Sequence, residues 1–238
     1  MSELVATLRE AVAALAASDK SLKRFGARVH RYELTAPLSA DELAATEARV
    51  GRLPDDLREL ATTFASGGAG PYYGWRIGER YRLRDRDAIT IAHVGCGYAA
   101  VIVDGEIAID AAGIGVVTPI YPSFTAYYLD WIERLASNAL PEAFVPPGAC
   151  ALANALGGYL GVHEQRLGLA PGTISGEALR DALAQLGPGA IEIAAQRSPL
   201  FPDGTRVDPC IACAKLLANL GLGEDVVARA EPIVRDTL

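Results

Sequence analysis

The sequence predicts an α+β body, with helices packed on an antiparallel sheet, followed by a smaller α/β region. Three observations carry that expectation. Apolar residues recur at helical spacing up to Phe64 and again over 123–136, while between 75 and 117 they fall in short alternating runs. Pro141, Pro146, Pro147 and Gly148 then break the chain. The 238 residues are enough for two domains of ordinary size, and the break places their boundary near 147, giving units 1–147 and 148–238.

Taken in order, Leu4, Leu8, Val12 and Leu15 give residues 2–17 an amphipathic stripe. Ser39-Ala-Asp-Glu42 is a capping box: the Ser39 hydroxyl accepts from the first turn and Glu42 reaches back to the amide of Ser39. The helix it starts stops near Gly51. Pro54 suits the first turn of the next helix, where its missing N–H costs nothing, and Leu57, Leu60, Ala61 and Phe64 form its buried stripe before Gly67-Gly68. Runs at 75–77, 88–94, 99–103 and 106–110 read as strands, the last two joined by the two-residue turn Asp104-Gly105. Phe124, Tyr127, Tyr128, Trp131, Ile132 and Leu135 share one face of a helix over 123–136, an aromatic stripe of core type. Beyond the break, 149–160 reads as helical or mixed, 176–186 as a helix, 190–195 as a strand and 210–220 as a helix after Pro209. This alternation suggests a parallel or mixed α/β layer.

Composition excludes several classes of function. Half of the residues are hydrophobic and 21% charged, so the chain is globular and not disordered. Lysine and arginine total 22 against 29 acids, a net charge of −7, which argues against bulk nucleic-acid binding. Four cysteines, two of them only three positions apart, fit a reducing compartment. Glu3 and Glu10 interrupt the N-terminal apolar stretch, so neither a signal peptide nor a membrane span is expected, and the expected location is cytoplasmic.

In the first half, the entry helix through Glu47, the segment Leu53-Pro54-Asp55-Asp56-Leu57 leading into Gly67-Gly68, the pairs Gly70-Pro71 and Gly74-Trp75, then Gly95-Cys96-Gly97 before a hairpin and the aromatic helix through Trp131 follow one another in order. Residues 22–136 thereby resemble the SUKH superfamily, which includes fungal regulators of cell-wall synthesis and many bacterial toxin-immunity proteins. The resemblance implies a protein-binding scaffold whose partner is often a nuclease or deaminase toxin. An acidic scaffold suits a basic toxin surface through steering. Gly95-Cys-Gly97-Tyr-Ala-Ala100 imitates a dinucleotide fingerprint, but a hairpin follows where that motif needs a helix, so nucleotide binding is rejected. His30 and His93 lie far apart with no evident partner and take no role.

The sharpest chemical motif is Pro209-Cys210-Ile-Ala-Cys213. Two thiolates three residues apart at a helix start can face one metal, form a redox dithiol, or lie buried as plain thiols. Ser175-Gly-Glu177 opens a helix 33 residues before Cys210, with a strand and the loop containing Pro202 and Gly204 between them. This order resembles the zinc deaminases of nucleobases, most nearly the deaminase domains of bacterial polymorphic toxins, which carry H-x-E and then P-C-x-x-C. The resemblance implies Glu177 as proton shuttle and Cys210 and Cys213 as two zinc ligands, but Ser175 stands where the third ligand, a histidine, is expected. A hydroxyl is a poor zinc ligand, and rescue by His163 would need a bent-back loop, because in Val162-His163-Glu164 the two groups are adjacent. Cys96 and Cys150 read as core thiols.

The expectation is therefore a non-enzymatic binding protein of immunity type, carrying a pseudo-deaminase domain with no cofactor. The alternative is a zinc-dependent deaminase of nucleobases or nucleotides with the SUKH-like part as accessory. The binding residues of the scaffold carry no signature in the sequence.

Overall fold

The computed structural model describes residues 3–83, 85–111, 116–137, 151–194, 202 and 204–228. The chain adopts an α+β arrangement of helices with one antiparallel sheet. The expected boundary near 147 and Cys150 lie outside the described residues.

The first helix, α1 (Glu3–Ser18), buries Val5, Leu8, Val12 and Leu15, the stripe its spacing dictates. Its end is tied down by Asp19, whose carboxylate accepts from the amides of Lys23 and Arg24 at 2.8 and 3.0 Å and from the Tyr32 hydroxyl at 2.9 Å. A single turn, α2 (Ala27–His30), follows. The capping box forms as expected at the start of α3 (Ala40–Val50), with Glu42 N donating to Ser39 Oγ at 3.3 Å and Ser39 N to the Glu42 carboxylate at 2.7 Å. Pro54 stands at the N-cap of α4 (Asp55–Thr63), one position earlier than the first turn, and Leu57, Leu60 and Ala61 are buried below it.

Among the described residues seven strands follow: β1 (Gly67–Gly68), β2 (Trp75–Arg76), β3 (Arg80–Leu83), β4 (Arg86–Gly95), β5 (Tyr98–Val103), β6 (Glu106–Ala111) and β7 (Val116–Tyr121). Their order is β1-β2-β4-β5-β6-β7, with β3 paired to β4 off this path, and every pairing is antiparallel. Asp104 and Gly105 turn β5 into β6 with φ of 53° and 83°, both positive as a two-residue hairpin of matched twist requires. The closing helix α5 (Phe124–Ala136) is capped by Ser123, whose Oγ accepts from Ala126 N at 3.1 Å.

Sheet residues Ile89, Ile91, Ala100, Ile102, Ile107 and Ile109 meet the stripes of α1, α4 and α5 in one core. Tyr128 is fully enclosed there, its ring 5.4 Å from Phe64 and 5.1 Å from Trp131 and its hydroxyl donating to Ala69 O at 2.8 Å. The Thr125 amide donates to the Asp56 carboxylate at 2.8 Å, which locks α5 onto the start of α4.

The C-terminal part contains α6 (Ala151–Leu167), α7 (Gly176–Ala184), α8 (Ile211–Asn219) and one 3₁₀ turn, Glu224–Val226. The strand expected over 190–195 is reduced within the described residues to isolated bridges, Ile191 with Val227 in parallel and Ala194 with Arg206 antiparallel. Its alternating Ile191 and Ile193 are buried as a strand's would be, but the facing segments give it one partner residue each, too few for a ladder. Leu152 and Leu156 of α6 join Ile193, Val207, Cys210, Cys213, Leu217 and Val226 in a second core. The two cores meet at α8. Ile211 and Ala214 pack into the first core, while Cys210, Ala212, Cys213 and Leu217 pack into the second.

Candidate metal centre

The turn between β4 and β5 reaches the start of α8. Gly95 pairs with Tyr98, leaving Cys96 and Gly97 as the two central residues, with φ of 54° and 80°. A cysteine in the left-handed region is uncommon, since its Cβ crowds the backbone there, and such outliers tend to mark sites of function. Gly95 itself has φ of 96°, and a Cβ on it would lie 2.5 Å from Pro209 O and 2.6 Å from both Cα and N of Cys210. The hairpin tip is therefore seated on the backbone of Pro209-Cys210, a closeness only glycine permits. The Cys96 amide donates to Asp208 O at 2.7 Å, and the buried Tyr73 hydroxyl donates to Pro209 O.

This seating brings three thiols together. Cys96 Sγ lies 3.6 Å from Cys213 Sγ, Cys210 Sγ lies 3.7 Å from Cys213 Sγ, and all three sulfurs are within 4.8 Å of one another. All three are free thiols. Cys210 is 2% and Cys213 0% exposed, and Cys96 is half-buried. The Cys210 amide donates to Cys96 Sγ at 3.3 Å. Three cysteines so placed could hold a metal ion.

Their protonation is uneven. Hydrogen bonding with the Cys213 and Cys96 thiols, helped by the amides of Cys213 and Ala212 in the first turn of α8, holds the Cys210 thiol far below the ordinary range. Hydrogen bonding with Cys210, together with burial, pushes Cys213 and Cys96 upward. Three thiolates in this volume would need a cation among them.

Of the residues singled out in the sequence, Cys210 stands at the N-cap of α8 and Cys213 in its first turn. Ser175 is the N-cap of α7 without a side-chain hydrogen bond into the helix, and Glu177 in the first turn of α7 is exposed. His163 packs against Tyr159 in a tilted arrangement, ring centroids 4.7 Å apart. Its neighbour Glu164 is buried, and its carboxylate accepts from the amides of Gly172 and Ile174 at 2.9 Å each, which holds it below the usual carboxylate range. Among the described residues, none of Ser175, Glu177 and His163 joins the thiol group. The third thiol is Cys96, expected as a core thiol. A cysteine between two glycines at a hairpin turn was the available signal.

A cleft of about 350 Å³ is lined by His30, Tyr73, Trp75, Arg76, Thr90 and His93 among others. Burial lowers His30 to about 4 and His93 to about 3, Arg76 adding to the effect on His93, so both imidazoles are neutral at pH 7. His30 Nδ1 accepts from the Tyr32 amide at 3.0 Å, and its buried Nε2 has no hydrogen-bond partner, like the buried Trp75 Nε1. Tyr73 links this cleft to the thiols: its ring lies 5.3 Å from that of His93 and its hydroxyl reaches Pro209 O. No helix among the described residues is long and apolar enough to cross a membrane.

No protein-family model, curated protein or solved structure matches this chain.

Proposed function

We propose that the protein is a non-enzymatic binding module of immunity type that neutralises a toxin, with the SUKH-like residues 22–136 as its binding scaffold and the deaminase-like remainder inactive. The observation that carries this reading is the identity of the third thiol. Cys210 and Cys213 are completed by Cys96 from the sheet, in a buried cluster, while Glu177 is exposed on α7. A catalytic zinc needs a general base beside it, and among the described residues Glu177, the proton shuttle the resemblance implies, is not in the group of donors around the sulfurs. The cleft lined by His30, Trp75 and Arg76 gives the scaffold a recessed surface. The net charge of −7 favours a basic partner.

The test is affinity of the full chain for the nuclease or deaminase toxins encoded beside its gene. A Kd at or below about 1 μM, with the toxin's activity suppressed at stoichiometric ratio, supports the reading. No partner within that limit counts against it. Turnover of cytosine, adenine or their nucleosides by the purified protein, abolished in Glu177→Gln, would establish the zinc-dependent deaminase instead.

A further inference from the structure

We propose that Cys96, Cys210 and Cys213 are ligands of a structural zinc-type ion that clips the β4–β5 hairpin to the start of α8. The ion would be a thiophilic divalent metal, and its task is to join the two cores. This inference does not depend on the identity of any partner.

The spacing of the sulfurs is the first ground. A tetrahedral zinc with Zn–S bonds of about 2.3 Å separates its sulfurs by ~3.8 Å. The two shortest separations here are 3.6 and 3.7 Å. A disulfide needs ~2.05 Å, and three thiols in mutual proximity cannot all be paired that way. The second ground is the backbone around the sulfurs. The Cys210 N–H donates to Cys96 Sγ at 3.3 Å, an amide-to-sulfur bond of the kind that orients a thiolate ligand and stabilises its charge. Cys96 is held in the left-handed region by a tight turn, and Gly95 lets that turn touch Pro209-Cys210. Backbone strain and close contact are thus both spent on bringing Cys96 to a motif 114 residues away.

The third ground is location. Ile211 and Ala214 belong to one core and Cys210, Ala212 and Cys213 to the other, while Cys96, in the β4–β5 turn, packs against the second core. An ion bound here would tie the two together at their junction, and its binding free energy would add directly to the stability of that contact. Any ligating thiol that is still protonated gives its proton to solvent, so binding is accompanied by proton release. The described residues supply three donors within reach, so a water or one further donor would complete the tetrahedron of the bound ion.

The experiment uses the full chain purified without a metal-binding tag. Elemental analysis should find one zinc per chain, and removal with a strong chelator should lower Tm, with restoration by added zinc. Cobalt substitution should give sulfur-to-cobalt charge-transfer absorption with the intensity of at least three thiolates. Cys96→Ser should weaken zinc binding by more than the ~10–100-fold typical of second-sphere changes, as Cys210→Ser and Cys213→Ser should. A wild-type protein that takes up no zinc or cobalt after full reduction overturns the inference. So does Cys96→Ser protein that keeps wild-type affinity, since the site would then belong to the Cys210/Cys213 pair alone. The wild-type cobalt spectrum decides the matter even where a variant fails to fold, because fewer than three thiolates contradicts the assignment directly.

Discussion

The amide of Cys210 donates to Cys96 Sγ at 3.3 Å across 114 residues of sequence, and the amide of Cys96 donates in return to Asp208 O at 2.7 Å. The two bonds make the hairpin tip and the 208–210 segment a single reciprocal joint, whose assembly depends on the missing side chain of Gly95. Gly95→Ala should therefore destabilise the protein by about 2–4 kcal/mol, because the added methyl meets backbone atoms that have nowhere to move and the alanine must also keep a φ of 96°. Gly105→Ala at the other hairpin, with φ of 83° but no atom within 4 Å of its Cβ, should cost only about 1 kcal/mol. Urea unfolding of the two variants separates crowding from backbone strain. Equal losses would mean that the contact with Pro209 and Cys210 contributes nothing.

Stability should fall as pH drops from 6.5 toward 4. His30 and His93 have native values of about 4 and about 3, below the ordinary 6.5 of the unfolded chain. In that window the unfolded state binds protons that the native state refuses, so the contribution is complete above 6.5 and is lost progressively below it. The neutral His30 is enforced by burial against Tyr32 and Trp131, with Asp19 opposing weakly, and His93 by burial with Arg76 nearby. At pH 5 each histidine should cost about 1–2 kcal/mol relative to pH 7.5. Denaturation midpoints across this range measure the slope, and the double variant His30→Gln/His93→Gln should flatten it. An unchanged slope in that variant would assign the effect elsewhere.

Asp19 is the buried charge on which the turn after α1 depends. Burial raises its pKa, but the amides of Arg24 and Lys23 and the Tyr32 hydroxyl outweigh that and lower it overall. Asp19→Ala removes the acceptor for all three donors, so a loss of about 2–4 kcal/mol is expected at neutral pH. Because the native pKa is depressed, the contribution is present above the unfolded value and disappears as pH falls through the native one, and the variant and wild type should converge in acid. A variant within 0.5 kcal/mol of wild type at pH 7 contradicts this account.

Local signals in the sequence were legible and long-range ones were not. The Ser39–Glu42 capping box and the Asp104-Gly105 turn need only neighbouring residues, and both form as their chemistry dictates. Strands β1, β3 and β7 escaped the reading because β1 and β3 are short and β7 is edge-placed, so their identity comes from the strand beside them rather than from their own pattern. The run at 190–194 shows the reverse failure. Its alternation is real, yet a strand needs a partner of matching length, and segments 206–207 and 226–228 provide single bridges. Two of the three thiols of the site were visible as the Cys210/Cys213 motif. Cys96 was not, because a thiol 114 and 117 residues from its neighbours has no spacing rule to reveal it.

Tyr73 should couple the cleft to the thiol joint. Its ring is buried against Phe25 and His93, at centroid distances of 5.1 and 5.3 Å, and its hydroxyl donates to the carbonyl of Pro209, the residue before the first thiol of α8. Tyr73→Phe keeps the ring and removes one hydrogen bond, leaving a buried carbonyl short of a donor, which should cost about 1–2 kcal/mol. The more telling quantity is the interaction with Gly95→Ala. Both substitutions act on the same carbonyl oxygen, Tyr73 by donating to it and the Gly95 methyl by displacing it, so the second to be introduced finds the contact already damaged. The double variant should lose less than the two singles combined, by about 0.5 kcal/mol or more. Losses that simply add would show that the tyrosine and the hairpin hold the 208–210 segment independently, and that cleft and thiols are not linked through Pro209.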